Sequence, residues 1–401
     1  MNKLVSVVIP SLNEGKVIED TIKRVFEAFL KYNIKGECIV MDSSTDETPQ
    51  IAARLGAKVY RIPEKGLGFT YIESLKYING DYIVMGDADG TYDFMEMNRF
   101  IDKLEEGYDF VMGTRLKGNI HKGAMPWSHR YIGTPTLTRM INIFFKTNIS
   151  DCNSGLRALT RDAFMRMKLE SYGWSYASEM VIKSALCNMR LTEIPISLLP
   201  DRKGRKPHLR PFDAAWQNLR YIFLLASEFL FLKIGFLVWL LGFILLHLLV
   251  RKPLKIGNIL IGTHFLLLSI ILTTVGASII QMGVFTQTFS FLKDFKKSGF
   301  SYFIRRHLTF NLGIISGAAI LGIGGLIDIY IVFVWIRGLL RHEWNFFPFD
   351  KISLVIYSIF FIVSGVQIIY FTLIFMLFDN PMKEHKESRE IAGVKQNEKK
   401  A

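Results

Sequence analysis

Two carboxylates at the end of an apolar run carry the clearest chemistry in this chain. Tyr82-Ile83-Val84-Met85 reads as a short buried strand, and it stops at Gly86 before Asp87 and Asp89. A strand that ends in glycine and then offers Asp-x-Asp sets acidic side chains at the carboxyl edge of a sheet, where open α/β folds bind ligands. Hard cations such as Mg²⁺ or Mn²⁺ take oxygen ligands, commonly one or two carboxylates completed by substrate phosphates. The spacing therefore predicts a metal–diphosphate site. The alternative is a plain polar turn, since isolated Asp-x-Asp triplets are common in loops.

The surrounding elements decide whether those carboxylates meet other chemistry. Leu4–Ile9, Glu37–Met41, Lys58–Ile62 and Phe110–Gly113 read as further strands. Helical patterns fall at Gly15–Lys31, Asp46–Leu55, and about 68–78 and 95–105. Strands alternating with helices predict an α/β domain with a mostly parallel, doubly wound sheet. Its carboxyl-edge turns include Pro10-Ser11-Leu12-Asn13-Glu14-Gly15 and Asp42-Ser43-Ser44-Thr45-Asp46. Asp42 ends its strand as Asp87 ends another, which suits contact with a base or ribose. Thr45 and Asp46 read as caps of the next helix. Lys65-Gly66-Leu67-Gly68 is a weak glycine-rich signal that a tight turn explains equally well.

Hydrophobic residues make up 50% of the 401-residue chain, unevenly spread. Residues 1–211 have the balance of a soluble domain. Apolar stretches follow at about 234–250, 256–284, 310–336 and 352–378, long enough for four membrane spans. They read as integral spans, not as a signal peptide, because the N-terminus begins directly with a strand. Between the two parts, residues 212–233 read as an amphipathic helix. Phe212, Ala215, Trp216, Leu219, Ile222, Phe223 and Ala226 recur at helical spacing, which suits a membrane interface or packing on the sheet. The polar tail 383–401 reads as disordered.

Lysine and arginine concentrate in segment 201–220, in the loop between the second and third spans, and in the tail beyond 379. By the positive-inside rule this predicts a multi-pass protein with its N-domain, middle loop and C-terminus in the cytoplasm. The net charge of +13 suits anionic lipid and phosphorylated substrates, and no nucleic-acid module with stacking aromatics is visible. Cys38, Cys152 and Cys187 have neither metal-cluster nor disulfide-framework spacing.

Taken in order, these motifs resemble family 2 glycosyltransferases of GT-A fold, and among them the dolichol- and polyprenyl-phosphate mannose or glucose synthases. The likeness covers about residues 4–225. It rests on Val8-Ile9-Pro10-Ser11-Leu12-Asn13-Glu14, Met41-Asp42-Ser43-Ser44-Thr45-Asp46, Gly86-Asp87-Ala88-Asp89, Gly113-Thr114-Arg115, Asp151-Cys152-Asn153-Ser154-Gly155-Leu156-Arg157 and the basic stretch Arg202–Arg210. The resemblance implies that Pro10, Asn13, Glu14 and Asp42 contact a nucleotide sugar. It also implies that Asp87 and Asp89 serve its diphosphate and a Mg²⁺ or Mn²⁺ ion. Where some mannose synthases carry a further ligand glutamine, this chain has Thr91. Arg115, Arg130 and Thr134 fall where such enzymes receive the acceptor phosphate, and Arg202 and Arg205 belong to a loop expected to cover the donor.

Elementary chemistry bears on the acceptor. A hydroxyl nucleophile needs a general base, whereas a lipid monophosphate is largely ionised near neutral pH, its second pKa being about 6. A phosphate acceptor therefore needs positive charge more than it needs a base, and Arg115, Arg130, Arg139, Arg157, Arg202 and Arg205 lie in or near the motif loops. The expected reaction is an inverting, metal-dependent transfer of a hexose, from UDP-glucose or GDP-mannose, to a polyprenyl phosphate at the membrane. A processive polysaccharide synthase is the rival: Gln217-Asn218-Leu219-Arg220-Tyr221 approaches its Gln-x-x-Arg-Trp motif, and Glu179 could act as base or orient an arginine. A lipid-translocating role for the spans is the third reading, resting on Asp328 and His264.

Overall fold

A computed structural model describes residues 3–201, 211–226, 228–250, 254–256, 259–292, 307, 309–341 and 352–398. The chain divides after Ala226 into two units. In the first, the order is β1 (Val5–Ser11), α1 (Ile18–Lys31), β2 (Gly36–Asp42), α2 (Thr48–Arg54), β3 (Lys58–Arg61), α3 (Leu67–Ser74), β4 (Tyr82–Met85), α4 (Met97–Glu105) and β5 (Phe110–Ile120). It continues with α5 (Thr134–Phe145), β6 (Arg157–Thr160), α6 (Arg161–Met167), α7 (Tyr176–Leu186), β7 (Leu191–Leu198) and α8 (Pro211–Leu225).

The strands are apolar on both faces because helices cover both sides, as parallel sheets require. Val7 and Ile9 of β1, Val40 of β2 and Val84 of β4 join one core cluster. Their sequence neighbours Val8, Ile39, Met41, Ile83 and Met85 join the other. Every second residue thus belongs to the opposite layer. The seven strands run in the order β3-β2-β1-β4-β6-β5-β7. β6 is antiparallel to both β4 and β5, and the other pairings are parallel. The mostly parallel α/β sheet expected from the sequence is therefore present, with one reversed strand. That reversal brings the start of β6 to the carboxyl edge, where Arg157 lies opposite Met85.

α8 is shorter than the helix expected over 212–233, and residues 228–233 instead form a π-helical turn leading into the next helix. Its apolar stripe also splits. Ile222 and Ala226 are buried in the sheet unit, together with Ala214 and Asn218 from outside the stripe, whereas Phe212 and Trp216 are 82% and 59% exposed.

The second unit holds α9 (Ile234–Leu249), a two-stranded pair β8 (Leu254–Ile256) and β9 (Ile259–Ile261), then α10 (Thr263–Leu292), α11 (Phe310–Leu340) and α12 (Ile352–Glu398). Among the described residues, four helical stretches are long and apolar enough to cross a membrane: Phe229–Leu249, His264–Thr288, Phe310–Leu340 and Ser353–Met376. The second starts later than the apolar run at 256 implied, because Ile256 pairs with Ile259 in a hairpin. Hydropathy cannot separate a short apolar strand from a helix. The tail expected to be disordered is helical to Glu398, in keeping with its many lysines and glutamates, which are strong helix formers. α10 continues to Leu292, while 293–306, most of the lysine- and arginine-bearing loop between the second and third apolar stretches, lies outside the described residues.

Glycines bring these helices close. A Cβ on Gly242 would lie 2.5 Å from the Thr273 amide, and one on Gly276 2.3 Å from that of Trp239, so α9 and α10 touch along their backbones. Gly317, Gly324 and Gly365 do the same for α11 and α12. Close backbone packing at small residues is also how helices associate where lipid removes the hydrophobic drive between them. Asp328 accepts a 2.5 Å hydrogen bond from Ser358 on the neighbouring helix. His264 is exposed.

Candidate active site

The carboxyl edge of the sheet opens into a cavity of about 640 Å³ within the first unit. Pro10, Ser11, Leu12 and Glu14 from the β1 turn, Ser43 from the β2 turn, and Asp87, Asp89 and Thr91 after β4 line it. Arg115 of β5, His129 and Thr134 before and in α5, and Ser154, Gly155 and Arg157 leading into β6 complete that wall. Trp174, Ala177 and Asn218 contribute from the side of α7 and α8.

The turns after β1 and β2 are locked by polar side chains. Asn13 takes a left-handed backbone (φ 55°), which asparagine tolerates better than most residues. Its side-chain oxygen accepts from the Thr45 amide at 2.8 Å, the Thr45 hydroxyl at 3.2 Å and the Asp46 amide at 3.3 Å. Asn13 thus clasps the second turn and is not among the cavity-lining residues. Asp42 is fully buried behind the wall. Its carboxylate accepts from Ser11 Oγ at 2.8 Å and Ser44 Oγ at 2.6 Å, and it pairs with Arg61.

Asp89 Oδ1 accepts from the Thr91 amide at 3.0 Å and from Thr91 Oγ1 at 2.6 Å. Thr91, considered as a metal ligand, here spends its hydroxyl fixing Asp89. Gly90 between them has φ 75°, which glycine adopts without strain. Asp87 lies against Gly155: a Cβ there would come within 2.5 Å of Asp87 Oδ2 and 2.8 Å of the Tyr92 ring. The bare glycine keeps that carboxylate at the cavity. An all-oxygen donor pair suits Mg²⁺ or Mn²⁺. Among the described residues no group of three or more His, Cys, Asp or Glu side chains could hold a metal, so phosphate oxygens would have to complete the coordination.

Arg115 is gripped by Asp151. Its Nε and Nη2 donate to the two carboxylate oxygens at 2.7 and 2.8 Å, and its backbone amide donates at 3.0 Å. Burial works against the Arg115 charge, but Tyr92 and Asp151 outweigh it and raise its pKa. Burial likewise opposes the Asp151 charge, yet Arg115 holds that carboxyl below the usual range. His129 also lines the cavity, and burial, then the nearby Arg115 charge, lower its pKa. Its imidazole is accordingly neutral near pH 7.

Four further expected residues lie elsewhere or beyond view. Arg130 is exposed, outside the cavity lining, with its guanidinium 5.4 Å from the Tyr131 ring centroid. Glu179 is fully buried and also off the lining. It accepts from the amides of Glu170 and Ser171 at 2.9 and 2.8 Å, from Tyr221 Oη at 2.7 Å, and pairs with Lys183 at 2.8 Å. The general-base role considered for it does not fit that position; the carboxylate ties a loop to α7 and α8. Arg202 and Arg205 lie outside the described residues. Gln217 accepts from the Trp174 amide at 3.2 Å.

Of the other lining residues, Arg157 stands in a motif, whereas Tyr71 and Tyr92 carried little signal in the sequence. Arg157 is 3% exposed, and donates to the carbonyls of Ser154, Ala177 and Cys152 at 2.7–2.8 Å. Burial lowers its pKa, yet a guanidinium stays charged. Tyr71 and Tyr92, 3% and 4% exposed, read as core residues from pattern alone.

A family model described as glycosyl transferase family 2 matches residues 6–167. The low-salt glycan biosynthesis hexosyltransferase Agl6 of Haloferax volcanii is 34% identical over 332 residues, covering 82% of this chain and 80% of that protein. From the same organism, the glycosyltransferase AglJ is 31% identical over 52% of this chain and 67% of its own length. A dolichyl-phosphate hexose transferase there is 29% identical over 48% of this chain and 81% of its own length. Among solved structures, glucosyl-3-phosphoglycerate synthase from Mycobacterium tuberculosis overlaps 56% of this chain and 80% of its own, with TM-score 0.45 and 22% identity.

Proposed function

The chain belongs to glycosyl transferase family 2 with a GT-A sheet unit, and within that frame we propose that it transfers a hexose from a nucleotide-diphosphate sugar to a polyprenyl phosphate. The observation that carries this reading is one cavity lined by two strand-tip carboxylates, Asp87 and Asp89, and two arginines, the half-buried Arg115 and the buried Arg157. Cleaving a glycosyl–diphosphate bond builds charge on the leaving group, and preorganised cations stabilise it most where water is excluded. Asp87 and Asp89 would hold a divalent cation that, when bound, supplies that neutralisation at the diphosphate.

The lipid phosphate brings its own negative charge as the nucleophile. Arg115, fixed in orientation by Asp151, receives it, with Thr134 and neutral His129 as hydrogen-bonding neighbours. Attack on the anomeric carbon in one displacement inverts its configuration. Pro10 and Glu14 border the nucleotide, and Asp42 supports that turn from behind. Arg130 lies close in sequence to the acceptor side and recruits the headgroup from outside the cavity, while Arg202 and Arg205 cover the donor. The lysine and arginine distribution supports a cytoplasmic catalytic unit and cytoplasmic termini, with four membrane spans.

The test uses the full chain in lipid nanodiscs with Mn²⁺, a short polyprenyl phosphate, and radiolabelled UDP-glucose or GDP-mannose. Label in the organic extract, as a singly glycosylated lipid, is expected with one donor. Long glycan made from donor alone would instead support a polymer synthase. Full transfer in excess chelator would remove the metal from the reading.

A further inference from the structure

The cavity contains a feature that catalysis by charge does not use. Among the described residues, two buried side-chain polar atoms lack any hydrogen-bond partner, Tyr71 Oη and Ser154 Oγ. Both residues line this cavity. Tyr71 is 3% exposed and Ser154 0%. Buried polar groups are almost always satisfied, so each exception calls for a cause. Two exceptions on one cavity share a cause most simply in a ligand that brings hydroxyls of its own.

Several other hydroxyls in the wall are engaged. Tyr92 Oη accepts from the Gly155 amide at 2.8 Å, Tyr176 Oη donates to Met85 Sδ at 3.6 Å, and Ser43 Oγ donates to the Ile62 carbonyl at 3.2 Å. The two unmatched groups are therefore not a general property of the cavity. Nor are they loose. Tyr71 is stacked on Tyr176 with ring centroids 5.2 Å apart and planes 12° off parallel, which fixes where its hydroxyl points. Ser154 is followed by Gly155, against which Asp87 rests, and its own carbonyl accepts from Arg157 Nε at 2.7 Å.

We propose that Tyr71 Oη and Ser154 Oγ are the groups that recognise the sugar hydroxyls of the donor. The inference rests on the nucleotide-sugar part of the reading above, and it does not depend on which acceptor is used. Ser154 adjoins the glycine that seats Asp87, so a sugar attached to a diphosphate held at Asp87 and Asp89 comes alongside. A neutral polyol suits a hydroxyl that can both donate and accept. Burial, with the Asp87 charge added, raises the Tyr71 pKa, so its hydroxyl keeps its proton and can donate.

The experiment compares ligands with and without the sugar. The full chain in nanodiscs with Mn²⁺ is titrated calorimetrically with UDP-glucose, UDP, GDP-mannose and GDP, for wild type, Tyr71→Phe and Ser154→Ala. Each variant should lose about tenfold in affinity for the nucleotide sugar, the worth of one hydrogen bond. Affinity for the matching diphosphate should stay within about twofold. Each should also melt at or above the wild-type temperature, since no protein contact is removed. A variant that melts well below wild type yet keeps its sugar affinity would make the hydroxyl structural and overturn the proposal. So would equal losses for nucleotide sugar and bare diphosphate. Should Tyr71→Phe not fold, Ser154→Ala carries the same readings. Tight, hydroxyl-dependent sugar binding without transfer to lipid would support this inference while removing the lipid acceptor. Failure of wild type to bind either nucleotide sugar would overturn both.

Discussion

The two units bury polar groups by opposite means. In the sheet unit, buried carboxylates are surrounded: Asp151 takes three hydrogen bonds from Arg115 alone, and Glu179 takes donors from two amides, a tyrosine and a lysine. Among the described residues of the helical unit, polar contacts between helices include Asp328 with Ser358 and Gln367 with Ser278, and glycines make the close approaches. The difference follows from the task of each unit. Holding charge in fixed positions demands many donors per acceptor, whereas long apolar helices with few polar contacts associate through shape and small residues.

The sharpest way to break this contrast is at Asp89. Asp89→Ala removes one of the two strand-tip carboxylates and leaves the buried clusters intact. Transfer to lipid should fall by about a thousandfold or more, the scale expected when a main transition-state contact is lost. The thermal melt should move by no more than a few degrees. Activity within tenfold of wild type would dissociate the carboxylates from the chemistry.

Arg115→Ala should come next, and it acts on stability as well as activity. It leaves Asp151 as a buried, unpaired carboxylate, which costs about 3–5 kcal/mol. The pair also dictates a pH dependence. The carboxyl of Asp151 is depressed in the folded protein, so its contribution is fully present above the unfolded value of about 4 and is lost as pH falls through the lower folded value. Urea denaturation of the wild type should therefore show a loss of stability on acidification below about pH 4, and the variant should lose that portion of the dependence. An unchanged acid limb would mean that Asp151 is not the group responsible.

The smallest effect belongs to the other unit. Gly317→Leu introduces atoms where a Cβ alone would lie 2.6 Å from Ile369 Cγ1 and 3.0 Å from the Gly365 carbonyl. Overpacking of this kind costs about 1–3 kcal/mol, read as earlier unfolding of the helical unit in a detergent titration. Nucleotide-sugar binding should remain. If binding collapsed as well, the two units would not divide the work as described.

Much of this was legible from residue order. Hydrophobic strands buried on both faces leave continuous apolar runs, and β1, β2 and β4 stand out for that reason. Asp87 and Asp89 were legible because a strand end followed by acids is both a local pattern and a ligand position. β6 was not: a four-residue strand, Arg157–Thr160, has no periodicity to measure, and its reversed direction depends on neighbours remote in sequence. Tyr71 was hidden because an aromatic on a helix face reads as core, and only coordinates reveal that its hydroxyl is unmatched. Glu179 illustrates the converse, since a carboxylate on α7 looks chemical until its four bonding partners are seen. Asn13 belongs to the right motif, but its contribution is to the shape of the turn.

The backward course of β6 also bears on how such a chain can change over time. The turns carrying Pro10, Ser43 and Asp87 hang from β1, β2 and β4, whereas Arg115 sits within β5, and the long excursion between β5 and β6 returns from the opposite direction. Residues gained or lost in that excursion shift no register among β1, β2 and β4. Length changes there leave the strand-tip carboxylates where they are, so one side of the cavity is free to vary while the other stays fixed.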